Sequence, residues 1–477
     1  MKTYKNLFKI GGLLFLISSN SYGIYVPLES RLSQAIEELR VRGVEIVRYP
    51  GVKNYWLEKI PNKDEDGVKG WLISKIYAPI LELTAASDSE SMLRPTAFIC
   101  YHSNPVNIVI QPVADFGNNT IWPNSKWGNF IAADYERAFI DLYSKKVLIR
   151  VGRERFAMGQ SPRYNLLLSG YSPSMEGILA SYEGEKFKFS FIFSRLENMV
   201  AETLNFATDT VHTDVANSSR FISVRRLDFS PWNWMNIGLS EVALYGGPSG
   251  IPSFYYLNPV ALSLPYEFTC KTANHNVFWD IDWRLYLQDI SFYGEFLIDD
   301  FQYGVDLQHE PNHTGLLVGV EKALSRSFIL AEYTHITRWV YNHYVPWQRY
   351  EFLGYPIGHP LGGDFDNIFF KSTHHYNAKF DFRLTLSYTR HGNSRIDTDW
   401  PVPEWPRVPG TYFPELNFLV HPITTYLDIR TGVSFLSISH LRNIKIATTL
   451  DGEVGVCKVS TDNWLPVFKI NIVLGAN

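Results

Sequence analysis

The chain has little cysteine. Cys100, Cys270 and Cys457 are the only three among 477 residues, too few and too widely spaced for a disulfide framework or a thiolate metal site. Past the N-terminus, no uninterrupted apolar run reaches the 18 residues that a membrane helix needs, so a membrane-spanning form of this chain has to be a closed barrel. Positive charge is not in excess, with 44 Lys and Arg against 48 Asp and Glu, which leaves nucleic acid without its electrostatic footprint. No G-x-S-x-G and no P-loop occurs, removing two enzyme signatures. No internal repeat of fixed period stands out, which argues against a propeller.

Aromatic residues are plentiful: 28 Tyr, 31 Phe and 13 Trp make up 15% of the chain. Such a content suits the girdles of a membrane barrel or a sugar-binding surface better than a typical soluble enzyme. At the N-terminus, Lys2, Lys5 and Lys9 precede a short apolar core, Ile10 to Ile17, and a small-residue site at Ser21-Tyr22-Gly23. That pattern predicts a secretory signal peptide over 1–23. Its removal takes three lysines and no acid, moving the net charge from −4 to about −7.

A helical stretch follows. Leu28, Leu32, Ala35, Ile36 and Leu39 recur at helical spacing and Gly43 is placed to end the helix. A second helix-compatible run covers Trp71 to Leu83, after the charged turn Lys63 to Asp66. Residues 24–92 therefore read as a small helical periplasmic segment, and 93–477 as a β domain.

Within the β domain the period is two. Val147, Ile149 and Val151 fall on one face with Arg150, Gly152 and Glu154 on the other, Phe187 to Phe193 place four phenylalanines on one face, and Phe382 to Tyr388 alternate likewise. Four bulky rings on one strand face suit lipid. Short links, Gln288-Asp289 and Lys322 to Ser327, alternate with long ones, Asp299 to His313, Thr337 to Phe369 and His391 to Pro422. Tight turns on one rim and long loops on the other are the habit of outer-membrane barrels, and the length of the region allows on the order of 16 to 20 strands. The last segment alternates Phe468, Ile470, Ile472 and Leu474 as a closing strand would, although it ends in Asn477 rather than an aromatic residue.

Several segments in order resemble the Wzi-type capsule-assembly family of outer-membrane proteins: RLSQAIEELRVRGVEI at 31–46, RVGRERFAMGQSP at 150–162, YYLNPVAL at 255–262, FYGEFLIDDFQY at 292–303, AEYTHITRW at 331–339 and GYPIGHPLGGDFDN at 354–367. The resemblance implies an all-β transmembrane β-barrel of about 18 antiparallel strands, with a small N-terminal α-helical periplasmic segment, in the outer membrane of a Gram-negative bacterium. It also implies a surface lectin that holds exported capsular polysaccharide, without cofactor and without catalysis. The expected partners are surface polysaccharide, outer-membrane lipid and lipopolysaccharide, and the barrel-assembly machinery during biogenesis.

The residues supply candidate chemistry of their own. The loop after Trp339 interleaves Trp339, Tyr341, Tyr344, Trp347 and Tyr355 with Asn342, His343, Gln348 and Arg349. Flat rings stack on the C–H face of a sugar, and amides and imidazoles bond its hydroxyls. A second loop carries Trp400 and Trp405 among prolines that stiffen it. These are the glycan-binding candidates, and a self-packed loop with an interfacial girdle is the ordinary alternative. Arg150, Arg153, Arg155 and Arg163 are candidates to line the lumen, steering acidic polymer or pairing with lumen acids. Glu295 with Asp299 forms a carboxylate pair that a glycoside hydrolase could use, though acids at a strand end are ordinarily solvated. Asp364, Asp366 and Asn367 offer a calcium-like corner without the spacing of an EF-hand, so a turn is the plainer reading. His335, His343, His359, His374 and His375 share no compact metal spacing. A diffusion porin for small anions or sugars is the alternative function on the same fold.

Overall fold

The structure is a computed structural model that describes residues 24–26, 30–44, 49, 51, 55–57, 67–75, 78–86, 93–116, 126–127, 131–202, 215–248, 250–263, 265, 275–301, 312–343, 345–398, 418–441, 444–460 and 464–476. The expected signal peptide, 1–23, lies outside the described residues.

Eighteen antiparallel strands close into one barrel. They are β1 (Ala78–Ala86), β2 (Leu93–Ala97 continued by Ile99–Ser103), β3 (Val106–Phe116), β4 (Ile131–Tyr143), β5 (Val147–Glu154) and β6 (Met175–Glu183). Next come β7 (Phe187–Arg195, continued by Met199–Glu202), β8 (Val215–Trp232), β9 (Met235–Pro248), β10 (His275–Leu287), β11 (Ile290–Asp300) and β12 (His313–Ala323). The last six are β13 (Ser327–Ile336), β14 (Phe365–His375), β15 (Phe380–His391), β16 (Thr424–Leu441), β17 (Ile444–Val459) and β18 (Trp464–Ala476). Each strand pairs with its sequence neighbour, and β18 pairs with β1.

One rim carries only tight connections, at 104–105, 144–146, 184–186, 233–234, 288–289, 324–326, 376–379 and 442–443. The other carries the long ones, among them 155–174, 249–274, 337–364 and 392–423. By the rule for such barrels the tight rim faces the periplasm and the long-loop rim the exterior.

The period of two decides what faces lipid. On β5, Val147, Ile149 and Val151 are exposed, and they register with exposed Ile140 and Leu142 on β4 and with Ile178 and Tyr182 on β6. The opposite parity holds buried Arg150 and Glu154. Apolar surface outward and polar surface inward is the inverse of a soluble sandwich, and it is stable only where hydrocarbon replaces water outside.

Helix α1 (Arg31–Val41) begins at Ser30, whose hydroxyl accepts the Ser33 N–H at 3.0 Å, and ends at Gly43 with φ of 84°. Its Leu32, Ala35, Ile36 and Leu39 pack on Val68, Leu72 and Ile73 of α2 (Val68–Ser74). The outer face of this pair plugs the periplasmic mouth. Glu37 pairs with Arg284 of β10 at 2.7 Å, Glu38 with His375 of β14 at 2.9 Å, and Lys75 with Asp381 of β15 at 2.6 Å.

The boundary between helices and barrel differs from the expectation. The helix-compatible run Trp71 to Leu83 is broken: α2 ends at Ser74 and β1 starts at Ala78, so the barrel begins earlier than residue 93. Pro79 cannot continue a helix, and Leu81 and Leu83 take the exposed parity that a first barrel strand needs. Cys100 and Cys457 are half-buried, and Cys270 lies outside the described residues.

Candidate functional site: the plugged lumen and its cap

The lumen is filled from both ends. The connection 155–174 between β5 and β6 turns inward and runs down the barrel. Within it the Gly159 N–H donates to the Gly51 carbonyl at 2.8 Å. Along the way polar wall residues hold it. Gln160 donates to Asp282 at 2.8 Å and its carbonyl accepts Arg284 at 2.9 Å. Ser161 donates to Glu332 at 2.7 Å. The N–H groups of Leu166 and Leu167 both point to Glu295 Oε1, at 2.7 and 3.0 Å. Phe156, Met158 and Leu166 to Leu168 supply the apolar side, packed on Leu179, Ile192, Val224, Leu244 and Leu317 of the wall.

A cap closes the plug from outside. The loop 337–364 lies on it, with the Tyr341 hydroxyl donating to the Leu166 carbonyl, the Tyr350 hydroxyl to the Leu167 carbonyl at 2.9 Å and Ser169 to the Gly358 carbonyl at 2.5 Å. Tyr341 takes a positive φ of 72°, an unfavourable conformation for a bulky residue. It is held there because its N–H donates to Asp299 at 2.7 Å while its ring stacks on Tyr350 at 5.7 Å. From the wall, Arg220 of β8 donates to the carbonyls of Trp347 and Glu351 at 3.0 and 2.9 Å and pairs with Glu197 at 3.0 Å. One guanidinium with several fixed donors can organise a whole turn of backbone in this way.

The glycan-binding candidates separate by burial. Trp339 (1%), Tyr341 (0%) and Trp347 (8%) have their rings inside the cap, so they form its core and present no open face in this state. His343 and Tyr355 are half-buried at its surface. Tyr355 meets Tyr171 edge-on at 5.9 Å, and Tyr171 meets Tyr164 at 6.1 Å. Tyr344, Trp400 and Trp405 lie outside the described residues.

The lumen candidates are all ion-paired. Arg150 pairs with Asp141 at 2.7 Å and Glu154 at 2.9 Å. Arg155 pairs with Glu136, and Arg163 with Glu332 at 3.0 Å while lying over the Phe369 ring. Arg153 pairs with Asp134 at 3.1 Å, but it shares the parity of Val147, Ile149 and Val151. Its partner Asp134 registers with Val113 on the buried parity of β3, so the ion pair lies across the two parities at the upper end of the strand. Deeper in, Arg226 sits between Asp228 and Asp282 at 2.8 and 2.9 Å. Buried pairs of this kind add little net stability but make one register far cheaper than its rivals.

A cavity of about 450 Å³ remains beside the plug, between α1 and the inner faces of β13 to β17. Its charges are balanced: Arg383 pairs with Asp451 and Arg430 with Asp428, each at 2.6 Å.

The carboxylates considered for hydrolysis are committed elsewhere, Glu295 to two plug amides and Asp299 to Tyr341. Asp364 of the calcium-like corner accepts the N–H groups of Ser394 and Val420, each at 3.1 Å, and so ties the next loop to the cap. Among the described residues no group of three or more His, Cys, Asp and Glu is placed to hold a metal ion. The run His309-Glu310-Pro311-Asn312-His313 spells H-E-x-x-H, but that motif needs both imidazoles on one helix face, and His313 opens strand β12. His359 is buried between the rings of Tyr164 and Phe365, at 5.7 and 4.7 Å. Burial pushes its pKa well below the ordinary 6.5, and the charge of Arg163 adds to the effect. His343 is held down to about 3 by loss of solvent, assisted by the charge of Arg349.

Comparison with known proteins matches this architecture. A search of the curated proteins returned no match. Among solved structures, the chain is similar to Wzi of Escherichia coli, described as an outer-membrane protein involved in group 1 capsule assembly and a carbohydrate-binding β-barrel. The identity is 13% and the TM-score 0.66, over 94% of this chain and 99% of that one. OccD3 and OccK3 of Pseudomonas aeruginosa match with TM-scores of 0.43, at 9% and 10% identity, over 83% of this chain and 91% and 94% of theirs, a likeness too slight to carry an argument. The family model for capsule assembly protein Wzi matches residues 108–416. With the plugged, capped 18-strand barrel on which that match falls, the chain belongs to the Wzi family of capsule-assembly outer-membrane proteins.

Proposed function

We propose that this protein binds exported capsular or exopolysaccharide non-covalently at the cell surface and helps assemble or anchor it there. The observation that carries this reading is the closed lumen. In a member of a capsule-assembly family, plug and cap leave the exterior face as the working surface, where a polymer too large to pass can still be held. Individual sugar contacts are weak, and a repeating polymer engaging many copies gains by effective concentration.

The cap divides the labour. Trp339, Tyr341 and Trp347 hold its shape from inside, while His343, Tyr344 and Tyr355, with Trp400 and Trp405 of the following loop, offer rings and donors to sugar. Arg150, Arg155 and Arg163 act in the lumen as fasteners of wall and plug. Residues 1–23 serve export, the barrel wall meets outer-membrane lipid and lipopolysaccharide, and insertion uses the barrel-assembly machinery. With Glu295 and Asp299 bound to backbone amides, the protein works by binding and not by catalysis.

The test is binding of detergent-purified protein to polysaccharide extracted from its own host. Two variants accompany it: Tyr344→Ala/Tyr355→Ala at the cap surface, and Trp339→Ala/Trp347→Ala in the cap core. Saturable binding lost in the first pair with the fold intact supports a surface lectin sited on the cap. No binding by folded wild-type protein, together with a steady single-channel current in planar bilayers, overturns it in favour of a diffusion porin.

A further inference from the structure

The connection between β9 and β10 does not simply rise from the rim. Strand parity shows where its described part, 250–263, lies. Leu227 and Phe229 on β8 and Leu239 on β9 are exposed on the lipid side. Arg225 and Glu241 share that parity and face each other across the two strands, yet both are buried.

What buries them is the loop. Arg225 donates to the carbonyls of Tyr256 and Asn258, each at 3.0 Å, and approaches Glu241 at 3.4 Å. The Ser263 N–H donates to Glu241 at 2.6 Å. Above this pair Tyr256 stacks on Tyr245 at 3.9 Å and hydrogen-bonds His275 Nδ1 at 2.5 Å. Tyr245 and His275 are a cross-strand pair of the same outer parity. The loop is thus a flap folded down over the outer wall of β8 to β10.

Its height matters. Trp232 and Trp234, stacked at 5.2 Å, mark the periplasmic end of these strands. At a rise near 3.3 Å per residue and a tilt near 40°, Arg225 stands about 18 Å above Trp232, inside an apolar band about 25 Å tall. The flap's own outer surface is apolar, with Phe254 90%, Val260 78% and Ile251 77% exposed.

We propose that 250–263 is a lipid-docking flap whose Ile251, Phe254 and Val260 enter the acyl chains of the outer leaflet. The flap shields a charged pair that the strands alone would leave against hydrocarbon, and it extends the barrel's lipid-facing band outward. Continuity with that band selects lipid as the occupant over sugar polymer or a second copy. The reading is independent of what the cap binds.

The experiment places a nitroxide at Phe254→Cys, and separately at Val260→Cys, in a chain whose Cys100, Cys270 and Cys457 are replaced by serine. The protein is reconstituted in dioleoylphosphatidylcholine vesicles. Phe229→Cys is the reference in lipid and Leu353→Cys, on the cap, the reference in water, with heat-modifiable gel mobility reporting the fold of each. The expected result is oxygen access matching the Phe229 site and several-fold protection from a water-soluble nickel relaxant relative to the Leu353 site. Nickel access equal to that at Leu353 would overturn the proposal, as would spin–spin broadening at both flap sites, which would assign the patch to a second copy.

Discussion

Glu295 is the point where wall, plug and cap are joined, so its removal has a calculable effect. One oxygen takes the N–H groups of Leu166 and Leu167, while the carbonyls of the same two leucines accept the hydroxyls of Tyr341 and Tyr350 from the cap. Glu295→Ala strands two buried donors, each costing about 1–3 kcal/mol when unsatisfied. Taking about 3 kcal/mol for the pair, the local opening of the plug rises roughly a hundredfold. Glu295→Gln keeps an accepting oxygen for the same two N–H groups, so it costs about 1 kcal/mol. Amide hydrogen exchange over residues 160–170 reads the difference directly, and bilayer recordings should show transient currents in the alanine variant that the glutamine variant lacks. Equal exchange in wild type and both variants would refute the reasoning. So would a rise in Glu295→Ala spread evenly over the whole barrel, since that would mark global unfolding instead of plug release.

The cap should loosen in acid. His359 is buried neutral with its pKa below 6.5, so the stability it permits is present above about pH 6.5 and is lost as pH falls toward its folded value, by about 1.4 kcal/mol per unit. His343 adds to the loss until about pH 3. Proteolytic nicking within 337–364 should therefore increase between pH 7 and pH 5, and His359→Phe should flatten that dependence. Arg220→Met removes the donors that hold Trp347 and Glu351 and should cost the cap about 2–4 kcal/mol, seen as faster exchange at 345–352 with the plug unchanged. Val151→Arg, on the lipid face, should cost about 2–4 kcal/mol in urea refolding into vesicles, whereas the same charge one residue earlier, at Arg150, is native and paired.

The wall was legible in the residues because its period of two is a local property. Val147 to Val151 and the Gln288-Asp289 turn stand in the structure as their alternation and turn chemistry dictate. The Phe187 to Phe193 row keeps its outer parity, but Phe191 is buried and Phe193 packs on the cluster of Phe221 and Tyr256 instead of facing lipid. The helix α1 was legible for the same reason, its apolar spacing being intact. The interior was not. Segment 155–174 has no alternation to follow, so beyond the lumen candidates Arg155 and Arg163 only the apolar run Leu166 to Leu168 signals that it turns inward. Arg220 looks like any strand arginine, since its partners at 347–351 lie far along the chain. The aromatics of 339–355 show the limit of composition as a guide: rings that stack on sugar and rings that pack a cap have the same chemistry, and burial separates Trp339 from Tyr355. Arg225 and Glu241 break the apolar parity of β8 and β9, and that local conflict is the one trace in the residues of the flap that covers them.

The pairing of β18 with β1 has a consequence for how the molecule comes into being. Asn471 donates to Glu82 across a separation of 389 positions, at 2.7 Å, so the contacts that close the ring join nearly the two extremes of the described chain. Ring closure carries the largest entropy of any pairing in the wall. Until the last strand docks, β1 presents a row of unsatisfied backbone donors and acceptors, the kind of edge on which chains aggregate. The polar pair Glu82 and Asn471 marks the seam, and docking of the final strand on β1 is the event that seals it.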